Sequence, residues 1–198
     1  MVDAAPRAWQ RMLSGRRLDL LDPSPLDIEI EDIAHGLARV ARWNGQTKGD
    51  HAFSVAQHCV LVEQIFAHCN AKPSKKLRLA ALLHDAPEYV IGDMISPFKA
   101  ALGLNYKAFE HRLMAAIHIR FGLPPGATPE TEALIKQADK MAAYLEATQL
   151  AGFSIPEAER FFGRPKGLDG TKKFYALETS PTNDATALYL SAFKRLTS

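Results

Sequence analysis

Apolar residues along this chain recur at spacings of three and four in nearly every periodic stretch, and no alternation of strand and helix is visible. That pattern predicts an all-α, single-domain helical bundle. Asp32 is placed to cap a helix running to about Trp43, with Ile33, Leu37, Val40 and Ala41 on its apolar side. Ser54 caps a second helix to about Cys69. Further helices are expected from Lys75 to about Ala86, Tyr106 to Phe121, Glu130 to about Ala151 and Asp184 to Leu196, with Gly122 and Pro124 ending the second of these. Residues 1–30 form an expected N-terminal arm, with short strands or extended chain around Leu18, Leu20, Ile28 and Ile30, ahead of a core over 31–198. Phe153 to Ser180 is rich in Gly, Pro and charge and reads either as a loop or as a short excursion.

With 198 residues, 47% of them hydrophobic, the chain can bury a substantial core. The balance of 24 basic against 22 acidic side chains leaves +2, too little positive charge for a nucleic-acid polymer as partner. No apolar run approaches the roughly 18 residues a membrane span requires, and the Met1 to Arg7 stretch lacks a signal-peptide core. Two cysteines, Cys59 and Cys69, build no disulfide framework and read as small apolar side chains in a reducing, cytoplasmic setting.

Some polar residues fall on the wrong face. Val55, His58, Val62 and Ile65 form one helical stripe, so His58 points toward the core. Leu77, Ala80, Ala81 and His84 share a face in the same way, and Asp85 follows at once. Asp139 borders the stripe of Ile135, Ala142 and Ala143. Any one of these has an ordinary explanation: a hydrogen-bonded core histidine, or an aspartate in a cap or ion pair. Together they aim two imidazoles and two carboxylates at one interior, where unpaired carboxylates cost several kcal/mol each and require compensation. One divalent cation held by His58, His84, Asp85 and Asp139 supplies it; the mixed N/O set suits Mn, Co, Ni, Zn or Fe better than Mg.

Read in order, Ser-Val-Ala-Gln-His58, Leu-Leu-His84-Asp85 and Lys-Gln-Ala-Asp139 resemble the HD-domain metal-dependent phosphohydrolase superfamily. The chain is most similar to its bacterial 5′-deoxynucleotidase branch, through Arg42-Trp43 ahead of the first histidine and the series His84, Asp85, Glu88 and Asp93. The likeness spans about residues 30–150; the arm before Asp32 and the stretch after Ala151 do not match it. It implies an all-helical fold, a divalent metal, a small-molecule nucleotide substrate and a homodimer. The implied activity is hydrolysis of nucleoside 5′-monophosphates, deoxyribonucleotides above all.

A phosphate monoester is a dianion, so its hydrolysis needs fixed positive charge, an activated water and a proton donor for the leaving alkoxide. Arg42 can grip phosphate through two N–H groups. Glu88 and Asp93 are candidates to orient water or shuttle a proton, Asp93 competing with a turn-forming reading beside Gly92 and Ser96-Pro97. Pro87 should bend the chain just after Asp85 and carry Glu88 inward. Trp43 either closes on the sugar or base, where the resemblance implies a preference for deoxyribose, or is a core residue. His35, Arg39 and Arg42 share a face of the expected first helix, Arg39 reading as a solvated charge. Lys48 reads as an exposed loop lysine, and His51 is secondary to His58.

His111 and His118 lie seven apart on one helix face. They carry a minority alternative, a two-metal, di-iron HD-type oxygenase. A non-catalytic nucleotide or metal sensor is the other alternative. The extension of cyclic-dinucleotide phosphodiesterases is absent, and Glu88-Tyr89 replaces the acidic pair of alarmone hydrolases.

Overall fold

The structure, a computed structural model, describes residues 8–93, 104–168 and 171–198. The Met1 to Arg7 stretch and Ser96-Pro97 lie outside the described residues. Helix dominates: α1 (Ile30–Leu37), α2 (Val55–Cys69), α3 (Lys75–Leu82), α4 (Glu88–Ile91), α5 (Leu104–Arg120), α6 (Pro129–Gln149), α7 (Ile155–Phe162) and α8 (Thr182–Thr197). A two-stranded antiparallel hairpin, β1 (Trp9–Arg11) and β2 (Arg17–Asp19), precedes them. The all-α expectation holds, and the short strand foreseen near Leu18 is β2.

The N-terminal segment is stitched to the bundle. Leu18 and Ile28 are fully buried in the core. Asp32 does not cap α1, because the helix starts two residues earlier, after Glu29. Its buried carboxylate instead accepts from the Ser14 amide at 2.9 Å and the Ser14 hydroxyl at 2.5 Å, fixing the hairpin turn to the helix.

Helix α2 is the centre of the fold, packed by α3, α6 and α8 and buried on nearly every side from Val55 to Phe66. Ser54 caps it as expected, in a reciprocal box with Gln57 that satisfies two first-turn donors. A helix enclosed all round must pair each polar side chain it carries. Gln57 donates to the Glu178 carbonyl at 3.0 Å and to Ser180 Oγ at 3.2 Å. Glu63, fully buried, accepts from Arg78 Nε at 2.6 Å and from Arg195 Nη2 at 3.2 Å, tying α2 to α3 and α8. Arg78→Met leaves that carboxylate in the core with one partner. The expected loss is about 2–3 kcal/mol, below the usual range for a fully buried pair because both arginines reach solvent. Urea denaturation measures it, and a loss under about 0.5 kcal/mol, the scale of an ordinary surface pair, would contradict this role.

Two expected helices stop early. The first ends at Leu37 and does not reach Trp43, because the chain turns away to pair with the start of α2: Arg42 donates to the Phe53 carbonyl at 2.8 Å and Val55 to the Val40 carbonyl at 2.9 Å. Gly36 permits the close packing of α1 on α4; a Cβ there would fall 2.8 Å from the Tyr89 Cβ. The third ends at Leu82 rather than near Ala86, so His84 and Asp85 occupy the turn into α4, and Leu77 faces outward. Pro87 sits at the bend, as foreseen, just before Glu88 opens α4. The undecided segment holds α7 and a 3-10 turn at Lys172–Tyr175. Among the described residues, no helix is long and apolar enough to cross a membrane.

Candidate metal centre

His58 lies in the buried first half of α2, and His84 hangs from the turn after α3 with its Nδ1 at 2.9 Å from the Ala81 carbonyl. Both Nε2 atoms are buried without a hydrogen-bond partner. The two rings are 5.2 Å apart, and one ligand atom from each of His58, His84 and Asp139 lies within 4.8 Å of the others. Asp85 Oδ2 is 3.4 Å from His58 Nε2 and 3.2 Å from His84 Nε2, while Asp139 Oδ1 is 3.4 Å from His58 Nε2. Two imidazole nitrogens lacking hydrogen bonds but facing carboxylate oxygens form a donor set for one cation. His58, His84 and Asp139 can hold a metal ion, and Asp85 lies against both imidazoles.

The electrostatics agree with the geometry. Burial opposes charge on His84, yet Asp85 and Cys59 outweigh it and push the imidazole up to about 10. Burial and Arg42 oppose charge on His58, but Glu146, Asp139 and Asp85 raise it well above its ordinary value. Burial raises Asp85 and Asp139, and the imidazoles more than reverse it, holding both well below the usual carboxylate range. The cage therefore favours positive charge at its centre, and a bound cation would stand in place of the two protons.

Glu146 is the residue that sequence reasoning missed. Fully buried on α6, its Oε1 is 2.5 Å from His58 Nδ1, and its Oε2 accepts from Trp43 Nε1 at 2.9 Å and Arg42 Nε at 3.3 Å. A carboxylate behind a ligating imidazole fixes its tautomer and leaves Nε2 free for a metal. Glu146 stays anionic, since His58 and Arg42 counter the cost of its burial. The signal was present: Asp139 and Glu146 are seven apart, two helical turns, on one helix face with Ala142 and Ala143 between them.

Arg42 and Trp43 occupy a tight turn, Arg42–Gly45, in which Trp43 (φ 56°) and Asn44 (φ 51°) are left-handed without being glycine. Besides Glu146, Arg42 holds Asp93 Oδ2 at 3.2 Å. Trp43 also packs against Phe153 and Phe162. Glu88 is buried, with its amide bonded to the Asp85 carbonyl at 3.0 Å. Arg39 does not share a face with Arg42, because the helix has ended; its guanidinium bonds back to the His35 carbonyl, as a solvated helix charge does. Lys48 and His51 are exposed on the loop before α2.

His84, Asp85 and Asp139 open onto a cleft of about 410 Å³ between α5 and α6, whose far wall includes His111 and His118. His118 is buried, with Nδ1 3.0 Å from the Pro124 carbonyl. Neither histidine joins the ligand-spaced group among the described residues, so the two-metal alternative gains no support.

Residues 33–153 match the family described as 5′-deoxynucleotidase YfbR-like. A Rhodobacter capsulatus protein, described as uncharacterized, is 65% identical over 159 residues, covering 80% of this chain and 81% of its own. The Escherichia coli protein YfdR, likewise described as uncharacterized, is 30% identical over 171 residues, covering 86% and 85%. The matched segment contains the whole His58, His84, Asp85 and Asp139 cage together with Arg42, Trp43 and Glu146, and the chain belongs to the YfbR-like 5′-deoxynucleotidase family.

Proposed function

We propose that this protein is a metal-dependent phosphomonoesterase that removes phosphate from nucleoside 5′-monophosphates, deoxyribonucleotides above all, in the cytoplasm and as a homodimer. The observation that carries the reading is the pair of buried, unbonded Nε2 atoms on His58 and His84 facing the carboxylates of Asp85 and Asp139. One divalent ion, Mn, Co, Ni, Zn or Fe rather than Mg, bound by those four residues would lower the pKa of a water and polarise a phosphoryl oxygen.

The protein's own groups do the rest. Arg42 is held by Glu146 and Asp93 through two of its nitrogens, and its remaining N–H groups stabilise charge developing on the phosphoryl oxygens. Asp93, fixed by Arg42, and Glu88, following the His84–Asp85 turn, are the acid–base candidates for positioning water and protonating the leaving alkoxide. Trp43, its indole N–H held by Glu146, presents a rigid ring edge to the sugar, where an added 2′-hydroxyl would have to be accommodated.

The test is release of inorganic phosphate from ribo- and deoxyribonucleoside 5′-monophosphates with Mn, Co, Ni, Zn, Fe and Mg supplied in turn. Release that depends on metal and is faster with deoxyribonucleotides is expected. No release with any of these metals would sink the proposal.

A further inference from the structure

Resting on that reading, we infer that Lys136 is a second phosphate-binding cation, meeting the substrate from the cleft that Arg42 does not line. A doubly charged phosphate must enter a centre already crowded with carboxylates: Asp85, Asp139, Glu146 and Asp93. Arg42 is poorly supplied for the task alone. Two of its nitrogens are held by Glu146 and Asp93, its side chain is only 14% exposed, and it does not line the cleft in front of the cage.

Among the described residues lining that cleft, Lys136 is the one lysine or arginine, set against Glu110 and Glu132. It stands one helical turn before Asp139 on α6 and touches that ligand directly, with Nζ 2.6 Å from Asp139 Oδ2. The two oxygens of Asp139 are thus divided: Oδ1 faces His58 Nε2 and Oδ2 faces the ammonium. The ammonium lies one carboxylate away from the cage, at the mouth through which a ligand reaches it. Its side chain is 67% exposed, so it can swing from Asp139 to an arriving phosphoryl oxygen without the desolvation cost a buried lysine would meet. A compact, mobile point charge here complements the fixed guanidinium of Arg42.

The inference predicts a selective defect. In the metal-loaded protein, orthophosphate binding followed by calorimetry should weaken about tenfold in Lys136→Met, as expected for one lost charge-assisted hydrogen bond. Lys136→Arg should retain most of the binding. KM for a nucleoside monophosphate should rise by a similar factor, while metal content and melting temperature stay at the wild-type level. If Lys136 serves only to orient Asp139, Lys136→Met will lose metal and leave orthophosphate binding by the loaded fraction unchanged, and the inference is overturned. Failure of the wild-type protein to bind orthophosphate overturns it as well. If orthophosphate binding weakens as expected but no nucleotide is hydrolysed, the phosphate subsite stands and the nucleotidase reading falls. The reverse pattern, turnover with an indifferent Lys136→Met, removes this inference alone.

Discussion

Glu146→Gln is expected to loosen the bound metal about 10–100-fold, the usual penalty for removing the partner behind a ligating imidazole. Glutamine nearly preserves the volume, so the fold should survive. It cannot preserve the hydrogen bonding. Three donors converge on this carboxylate, the His58 ring nitrogen, the Trp43 indole and the Arg42 guanidinium, and a carboxylate can accept from all three. An amide has one accepting oxygen, so its NH2 must face a donor. Either His58 loses the partner that fixes its tautomer, or Arg42 and Trp43 lose their anchor. Competition against a chromogenic chelator measures the metal affinity. Trp43 fluorescence adds an independent reading in a Trp9→Phe background, because Trp9 and Trp43 are the only tryptophans. Unchanged affinity together with unchanged fluorescence would show that Glu146 is not the link between the cage and the Arg42-Trp43 turn.

Asp139→Ala should have the larger effect on turnover. An ion's polarisation of a phosphoryl oxygen is worth several kcal/mol, and each 1.36 kcal/mol is tenfold in rate, so phosphate release should fall about 10³-fold or more. The same substitution should abolish the stabilisation that metal confers. At a hundred times its dissociation constant, a ligand that binds only the native state adds about 2.7 kcal/mol, seen as a rise in melting temperature. That rise is expected for the wild-type protein and absent in Asp139→Ala. Full metal-dependent stabilisation in the variant would remove Asp139 from the ligand set.

What could be read from sequence was whatever the local chain determines. Ser54 and Gln57 form their capping box within one turn, and the stripe of Val55, His58, Val62 and Ile65 reports burial that the structure bears out. What could not be read depends on remote partners. Asp32 looked like a cap because its nearest polar neighbours are local, but its carboxylate is taken by Ser14, eighteen residues upstream. Val40 and Ala41 continue a helical period, yet they leave the helix because Val40 and Arg42 find backbone partners beside α2. The Asn44-Gly45 dipeptide was the available warning of a turn there. Helix α7 also had a signal in place, since Ser154 and Glu157 form a capping box with Pro156 in the first turn. The charged, proline-rich stretch around it hid that helix. Glu146 was obscured for a different reason: an acid among apolar residues on a long helix reads as an edge position until a second helix places His58 against it.

The central claim concerns charge at one point between α2, the turn before α4, and α6. Crystals grown with Mn²⁺ and measured at an energy where manganese scatters anomalously test it directly. One peak per chain, bonded to His58 Nε2, His84 Nε2 and carboxylate oxygens of Asp85 and Asp139, is the predicted result. Well-ordered imidazoles with no anomalous peak between them, or a peak seated elsewhere on the chain, would contradict the account.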